Sequence, residues 1–248
     1  MLLHGGAGSW RHWARNIEDL ACDHRLIVPD LPGLGESAMV PLPATAEAVA
    51  EVLAQGLDII LGSEGSYDVV GFSFGGTAAT CLAAIHGTRV RSLTIVGSSG
   101  VGPVGSRVDL MKVRHLKGKE RVAAHRVNLG RLMLADPNKI DALALAIQDW
   151  NTRYSRLKTP ELSRSGALVA ALAKVRVPVN GIWGEFDAPA NPRAHEREAA
   201  LRALRPDVNF HMVRGAGHWV AYEAPEEFNG ALRAMLSRSA SACASDMI

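Results

Sequence analysis

Tyr67-Asp-Val-Val-Gly-Phe-Ser-Phe-Gly-Gly76 is the stretch that organises the chain. Val69 and Val70 end a short apolar run suited to a buried strand, and Thr77-Ala-Ala-Thr-Cys-Leu-Ala-Ala-Ile85 reads as a closely packed helix. Between them lies Gly71-Phe-Ser-Phe-Gly75, a G-x-S-x-G spacing. Glycines two before and two after the serine remove Cβ atoms where strand and helix converge. A sharp turn can then hold the Ser73 hydroxyl out at the sheet's edge. The N–H of Phe74 would lie at a helix N-terminus, where an oxyanion can be bound. In a chain with 24 glycines the spacing alone also fits an ordinary turn, so the rest of the sequence has to decide.

The totals fit a globular protein. The 248 residues suit one or two domains and a large core, with 48% hydrophobic residues, 21% charged residues and a mean hydropathy near zero. No apolar run approaches the roughly 18–20 residues of a membrane span, so stable membrane insertion is not expected. Met1-Leu-Leu-His-Gly-Gly6 is neither a basic leader nor a signal-peptide core, which makes the cytoplasm the default location. Cys22, Cys81 and Cys243 are scattered, without C-x-x-C spacing; neither a disulfide framework nor a zinc site is read from them. Cys81 reads as a small core residue. Net charge is +2, but residues 106–174 carry 14 Lys/Arg against 6 Asp/Glu. Such a segment suits an anionic small-molecule substrate or simply solvated helix faces. No aromatic residues interleave with the basic ones as in a nucleic-acid module, so nucleic acid is not an expected partner.

Along the chain, apolar runs alternate with helical patterns. Met1-Leu-Leu3 resembles the end of a strand and leads into the loop His4-Gly-Gly-Ala-Gly-Ser-Trp10. Arg11–Leu20 fits a helix with Trp13, Ile17 and Leu20 inward, and His24–Pro29 a short buried strand. The turn Asp30-Leu-Pro-Gly-Leu-Gly-Glu-Ser37 follows. A helix over 45–61, capped by Thr45, places Val49, Val52, Leu53, Leu57 and Ile60 at helical spacing. Strands are expected at Val90–Gly97, Val177–Trp183 and Val208–Val213, and helices at Pro192–Leu204 and Pro225–Leu236. Residues 101–174 are basic, helical and strand-poor. Strand–helix alternation with short loops predicts an α/β, mostly parallel, doubly wound sheet covered on both faces. The expected division is core at 1–100, helical lid at 101–174, core again at 175–237 and a disordered tail at 238–248. Gly100-Val-Gly-Pro-Val-Gly105 matches G-x-G-x-x-G. However, it lies outside the first strand–helix unit, proline occupies one variable position, and no acidic residue follows about 20 positions on after a second strand. It reads as a hinge into the lid rather than as a dinucleotide site.

A serine hydroxyl needs a base within hydrogen-bond reach and an acid to orient that base. After a serine elbow the expected order is Asp or Glu, then His. Gly181-Ile-Trp-Gly-Glu-Phe-Asp187 puts Asp187 after one strand, with Glu185 as a competing acid; Val213-Arg-Gly-Ala-Gly-His-Trp219 puts His218 after the next.

These motifs, with His4-Gly-Gly6 and Asp30–Ser37, resemble the α/β-hydrolase fold family over nearly the whole chain. The resemblance implies Ser73 as nucleophile, His218 as general base and then acid, and Asp187 as orienting acid. It also implies an oxyanion hole from the N–H groups of Gly6 and Phe74, no cofactor and no metal. Asp30 and Ser37 are expected to fix their turn. His218-Trp219 and Tyr222-Glu-Ala-Pro-Glu-Glu-Phe-Asn229 resemble the carbon–carbon bond hydrolases of aromatic-ring degradation, with Arg153 and Arg156 as candidates for the arginine that holds an anionic dienoate. Phe72, before the nucleophile, departs from the asparagine usual there and resembles simple esterases. Phe72 and Trp219 join the two arginines as candidate pocket residues. Ester or thioester hydrolysis and C–C cleavage therefore both stay open, beside a non-catalytic ligand receptor on the same fold. Family members usually carry about 20–30 residues ahead of the strand that ends at His4, so an upstream start is expected.

Overall fold

The computed structural model describes residues 1–102, 108–190 and 194–245, with side chains as far as Arg238. Leu2–Leu3 (β1), Tyr67–Phe72 (β2), Val90–Val96 (β3), Val179–Gly184 (β4) and Asn209–Val213 (β5) form one parallel sheet in that spatial order. Phe72 is level with Val96, Val96 with Ile182 and Gly184 with Val213. The loops after β2, β3, β4 and β5 therefore leave from one edge, where ligands bind in parallel sheets.

Successive strand residues face opposite sides. Leu3, Val69, Ile95 and Trp183 enter one core with Val49, Leu53 and Leu57 of α2 (Ala46–Leu61), Leu82 of α3 (Phe74–His86) and Leu168 of α7 (Ala167–Leu172). Leu2, Val70, Val96 and Ile182 enter the other, with Phe228, Leu232 and Met235 of α10 (Pro225–Ser245). Helix α2 starts where its cap predicts, Thr45 Oγ1 accepting the Ala48 N–H at 3.0 Å; losing such a cap costs about 1 kcal/mol. Val52 and Ile60, expected inward, are exposed, because the buried stripe runs through Val49, Leu53 and Leu57. Cys81 is a core residue, and burial pushes its thiol up to about 12.

Between β3 and β4 lie α4 (Gly118–Leu132), α5 (Ala142–Arg153), α6 (Thr159–Ser163) and α7. Its apolar residues divide between the two cores: Leu129, Met133, Ile140 and Ile147 go to one, Leu168 and Leu172 to the other. The expected hinge falls partly outside the described residues, at 103–105. Helix α8 (Glu196–Leu204) follows β4, and Pro192, its expected start, also lies outside the described residues. No helix among the described residues is long and apolar enough to cross a membrane.

Three elements differ from expectation. Arg11–Leu20 is not one helix but a 3-10 turn, Trp10–Trp13, and α1 (Ile17–Leu20). The break turns Asn16 inward, where its amide donates to Ala221 O and Asn229 Oδ1 at 2.9 Å each. His24–Pro29 is half-buried and forms no strand; Leu2 N–H donates to Ile27 O (2.9 Å) beside it, but two-residue β1 offers no longer ladder. Helix α10 runs to Ser245, beyond Leu236, because Ser237–Ser245 contains neither Gly nor Pro to stop it; residues 246–248 are outside the described set.

Candidate active site

Ser73 is one of two described non-glycine residues with positive φ, at φ 53 and ψ −117. A side chain there is strained and persists only where the surroundings dictate it. They do so from both sides: Ser73 N–H donates to Val96 O (2.8 Å) and Ser73 O accepts from Gly76 N–H (2.9 Å). The flanking glycines are obligatory. A Cβ on Gly71 would lie 2.2 Å from Gly75 O, and one on Gly75 would lie 2.5 Å from the carbonyls of both Leu3 and His4. Helix α3 begins at Phe74, so its first N–H groups lack intrahelical acceptors and carry the positive end of the dipole.

The loops after β4 and β5 bring two further side chains to Ser73. His218 Nε2 is 3.1 Å from Ser73 Oγ, and His218 Nδ1 is 3.0 Å from Asp187 Oδ2. An ionised carboxylate only accepts, so Nδ1 carries the proton and Nε2 accepts from the hydroxyl. Asp187 is 1% exposed, and its other oxygen accepts the Ala190 N–H at 3.3 Å. The competing acid is elsewhere: Glu185 is exposed and accepts the Gly215 N–H at 2.9 Å. Of the two acids left open by the sequence, the structure brings Asp187 to the histidine.

Residues that the sequence did not single out hold this arrangement. Gly97, at φ 54 after β3, lies under the pair; its Cβ would come 3.0 Å from Asp187 Oδ2 and 3.3 Å from His218 Nδ1. Glu223, 5% exposed, accepts three backbone N–H groups, from Gly217 (2.7 Å), Ala135 (3.1 Å) and Asp136 (2.7 Å). It thereby ties the His218 loop to the turn after α4. His12, 2% exposed, accepts the Gly5 N–H at Nδ1 (3.2 Å), and its ring centroid is 5.4 Å from Phe72. Burial, then the neighbouring His4 and His218, hold its pKa well below the ordinary value. Only Gly97, directly after an apolar strand, carried a local signal.

The loop from His4 passes beside the serine, since a Cβ on Gly5 would meet Ser73 Cβ at 3.2 Å. His4 is fully buried: Nε2 accepts the Leu31 N–H (2.8 Å) while Nδ1 donates to Gly5 O (2.8 Å). Burial lowers its pKa to about 4, outweighing that carbonyl and Asp30, so it is neutral near pH 7. With Gly5 N–H taken by His12, Gly6 is the next amide in the loop; over it sits Thr159 of α6, its Oγ1 2.1 Å from where a Cβ would be. Asp30 and Ser37 fix their turn: Asp30 accepts from Trp10 and Glu36 N–H (2.8 and 2.9 Å), and Ser37 Oγ donates to Asp30 O (2.7 Å).

Phe72 and Trp219 are buried core residues beside the site. Phe72 is 4.9 Å from the His218 ring, and Trp219 Nε1 donates to His12 O at 2.8 Å. The arginines do not join them. Arg153 is 59% exposed and pairs with Asp149 at 2.9 Å, while Arg156 donates to the carbonyls of Gly35 and Ser37. These helix and turn contacts, and none with Ser73, Asp187 or His218, are what the structure gives the two guanidiniums among the described residues. Among the described residues no three His, Cys, Asp or Glu side chains converge as a metal-binding group.

Residues 1–231 match the model of the alpha/beta hydrolase family. A dihydrolipoyllysine-residue acetyltransferase component of the acetoin cleaving system of Pseudomonas putida is 28% identical over 96% of this chain and 63% of its own length. The chain thus spans less than two thirds of that relative. The 2-hydroxy-6-oxo-6-(2'-aminophenyl)hexa-2,4-dienoic acid hydrolase of Metapseudomonas resinovorans is 27% identical over 97% of this chain and 84% of that one. Among solved structures, a thermophilic esterase from Thermogutta terrifontis superposes with a TM-score of 0.67 at 26% identity, covering 96% of this chain and 89% of the other. With its parallel sheet and serine elbow, the chain belongs to the alpha/beta hydrolase family.

Proposed function

We propose that the protein is a serine hydrolase that cleaves a small carboxylic ester or thioester, with Ser73 as nucleophile, His218 as general base and acid, and Asp187 as orienting acid. One observation carries this reading: a single imidazole stands at hydrogen-bond distance from both the Ser73 hydroxyl and the Asp187 carboxylate. In the reaction His218 Nε2 takes the Ser73 proton as Oγ attacks the substrate carbonyl, and Asp187 stabilises the imidazolium that forms. The N–H groups of Phe74, at the head of α3, and Gly6 are assigned to the oxyanion. Each such donor contributes on the order of 10²–10³ in rate. His218 then gives its proton to the leaving oxygen, and a water activated by the same imidazole hydrolyses the acyl-enzyme. Residues 101–174 are assigned as the lid over this edge of the sheet, with Thr159 against the Gly6 loop.

The second reading, C–C cleavage of a dienoate, is favoured by the Metapseudomonas relative and disfavoured by the engagement of Arg153 and Arg156 elsewhere. A panel of p-nitrophenyl esters of increasing acyl length, assayed beside a dienoate ring-cleavage product, separates the two. Turnover confined to the esters supports the first reading; turnover of the dienoate alone overturns it.

A further inference from the structure

We infer that Asn151, on helix α5 of the insertion, is a positioning residue for the oxyanion: it grips Ser9 and so fixes the loop that carries the Gly6 amide. The inference rests on the serine-esterase reading and on the assignment of Gly6 within it. Ser9 and Asn151 stand 142 residues apart in the chain, and both are fully buried. Ser9 Oγ donates to Asn151 Oδ1 at 2.6 Å.

The loop needs such a grip. Gly6, Ala7 and Gly8 carry no polar side chain, and Ala7 is the other described non-glycine residue at positive φ, 46. A methyl-bearing residue there is strained and persists only where neighbouring contacts impose the conformation. Before this stretch the Gly5 N–H is held by His12 Nδ1; after it the Trp10 N–H is held by Asp30 Oδ1 at 2.8 Å. Between those two points, Ser9 is the residue whose side chain hydrogen-bonds to another element.

The direction of the bond follows from its neighbours. Ser9 Oγ accepts the Arg11 N–H at 3.3 Å, and an amide oxygen only accepts, so the single hydroxyl proton goes to Asn151. Asn151 Nδ2 is buried with no acceptor among the described residues. A buried donor left unpaired lowers stability, so this side chain supplies placement rather than stability. Helix α5 is itself held at both ends. At its start Asp141 caps the Ala144 N–H (2.8 Å) and accepts the hydroxyl of Tyr222 (2.6 Å), in the turn of helix after His218. At its end the Arg11 guanidinium stacks on Trp150, 3.6 Å from the ring centre. The helix thus offers Ser9 a fixed acceptor, one residue beyond that stack.

The test separates placement from stability. Asn151→Leu removes the acceptor at similar size, Ser9→Ala removes the donor, and Ser9→Thr restores a hydroxyl. With p-nitrophenyl acetate, kcat and kcat/KM are expected to fall together about tenfold in the first two, a part of what a whole oxyanion donor supplies. KM and Tm should change little, and Ser9→Thr should recover most of the rate. A trifluoromethyl ketone forms a hemiketal on Ser73 whose oxygen occupies the same amides. Its affinity should weaken by the factor that kcat/KM loses, and the double variant should lose no more than the worse single one. A raised KM at unchanged kcat overturns the inference, because Asn151 would then touch substrate. Unchanged kcat, or a lower kcat with unaltered ketone affinity, overturns it as well. If Asn151→Leu fails to fold, Ser9→Ala carries the same prediction. A wild type that neither reacts with a fluorophosphonate at Ser73 nor hydrolyses the ester overturns the parent reading; a reactive wild type with indifferent variants overturns this inference alone.

Discussion

The loops after β2, β4 and β5 and the helices between β3 and β4 use their residues in opposite ways. Where these loops join their strands and helix, spacing is a steric requirement: a Cβ at Gly71 of β2, Gly75 of α3 or Gly184 at the end of β4 would fall 2.1–2.5 Å from a carbonyl oxygen, so the sequence has no freedom there. In the helical insertion the conspicuous feature is charge, and charge binds wherever an acceptor is offered. Arg121 pairs with Asp149, Arg126 donates to Ile140 O (2.8 Å) and Arg164 to Pro160 O (3.0 Å). A guanidinium with five donors meets its needs locally. Close contact therefore makes a sequence legible, and net charge does not.

The comparison can be tested at both ends. The largest expected effect is at Asp187: Asp187→Asn removes the acceptor that fixes the His218 tautomer, and kcat should fall on the order of 10⁴-fold. A drop under tenfold in steady-state kinetics would show that another group orients His218. Next is Gly97→Ala. The substitution strains a positive φ and pushes a methyl toward Asp187 and His218, and displacement of a catalytic group by about 1 Å costs around 10²-fold. Unchanged kcat/KM would mean that the pair tolerates displacement.

An effect of similar size, on stability rather than rate, concerns pH. Burial lowers the His4 pKa to about 4, below the 6.5 of the unfolded chain, so the unfolded state binds the proton first. The neutral form's contribution is complete above pH 6.5 and is lost as pH falls from 6.5 toward 4, amounting to about 3 kcal/mol. His12 shifts the same way. Urea unfolding at pH 7 and pH 4.5 should show this loss, with a shallower decline in His4→Gln; identical declines would remove His4 as a cause. The smallest effect is expected in the insertion. Arg153→Ala breaks an exposed pair worth at most about 1 kcal/mol and should leave kcat/KM on neutral esters within about twofold. A tenfold rise in KM would return this arginine to the substrate.

The same distinction explains what the sequence revealed. Ser73, Asp187 and His218 were legible because each follows an apolar strand and a glycine: Ser73 lies between Gly71 and Gly75, Asp187 follows Gly184, and His218 follows Gly215 and Gly217. The strands β2 to β5 were legible as apolar runs between turns. His24–Pro29 has such a run without becoming a strand, because pairing depends on what its neighbour offers, and β1 offers two residues. Glu223 and His12 escaped notice because no motif marks their contacts: Glu223 reaches Ala135 and Asp136, 88 and 87 residues earlier, while His12 Nδ1 accepts the Gly5 N–H seven residues back and its carbonyl accepts the Trp219 indole across 207. Neither leaves a periodic or spaced trace. Arg153 and Arg156 show the converse, as charge in a basic segment suggests a ligand while their acceptors here are Asp149 and a neighbouring turn.

The central claim is that three side chains far apart along the polymer act as one reacting group at Ser73. Incubation with a fluorophosphonate followed by peptide mass spectrometry tests it most directly. A single adduct on the Ser73 peptide is expected in the wild type, absent in Ser73→Ala and formed at least about 10³-fold more slowly in His218→Ala. Equal labelling of Ser73→Ala, or an undiminished rate in His218→Ala, would contradict the account.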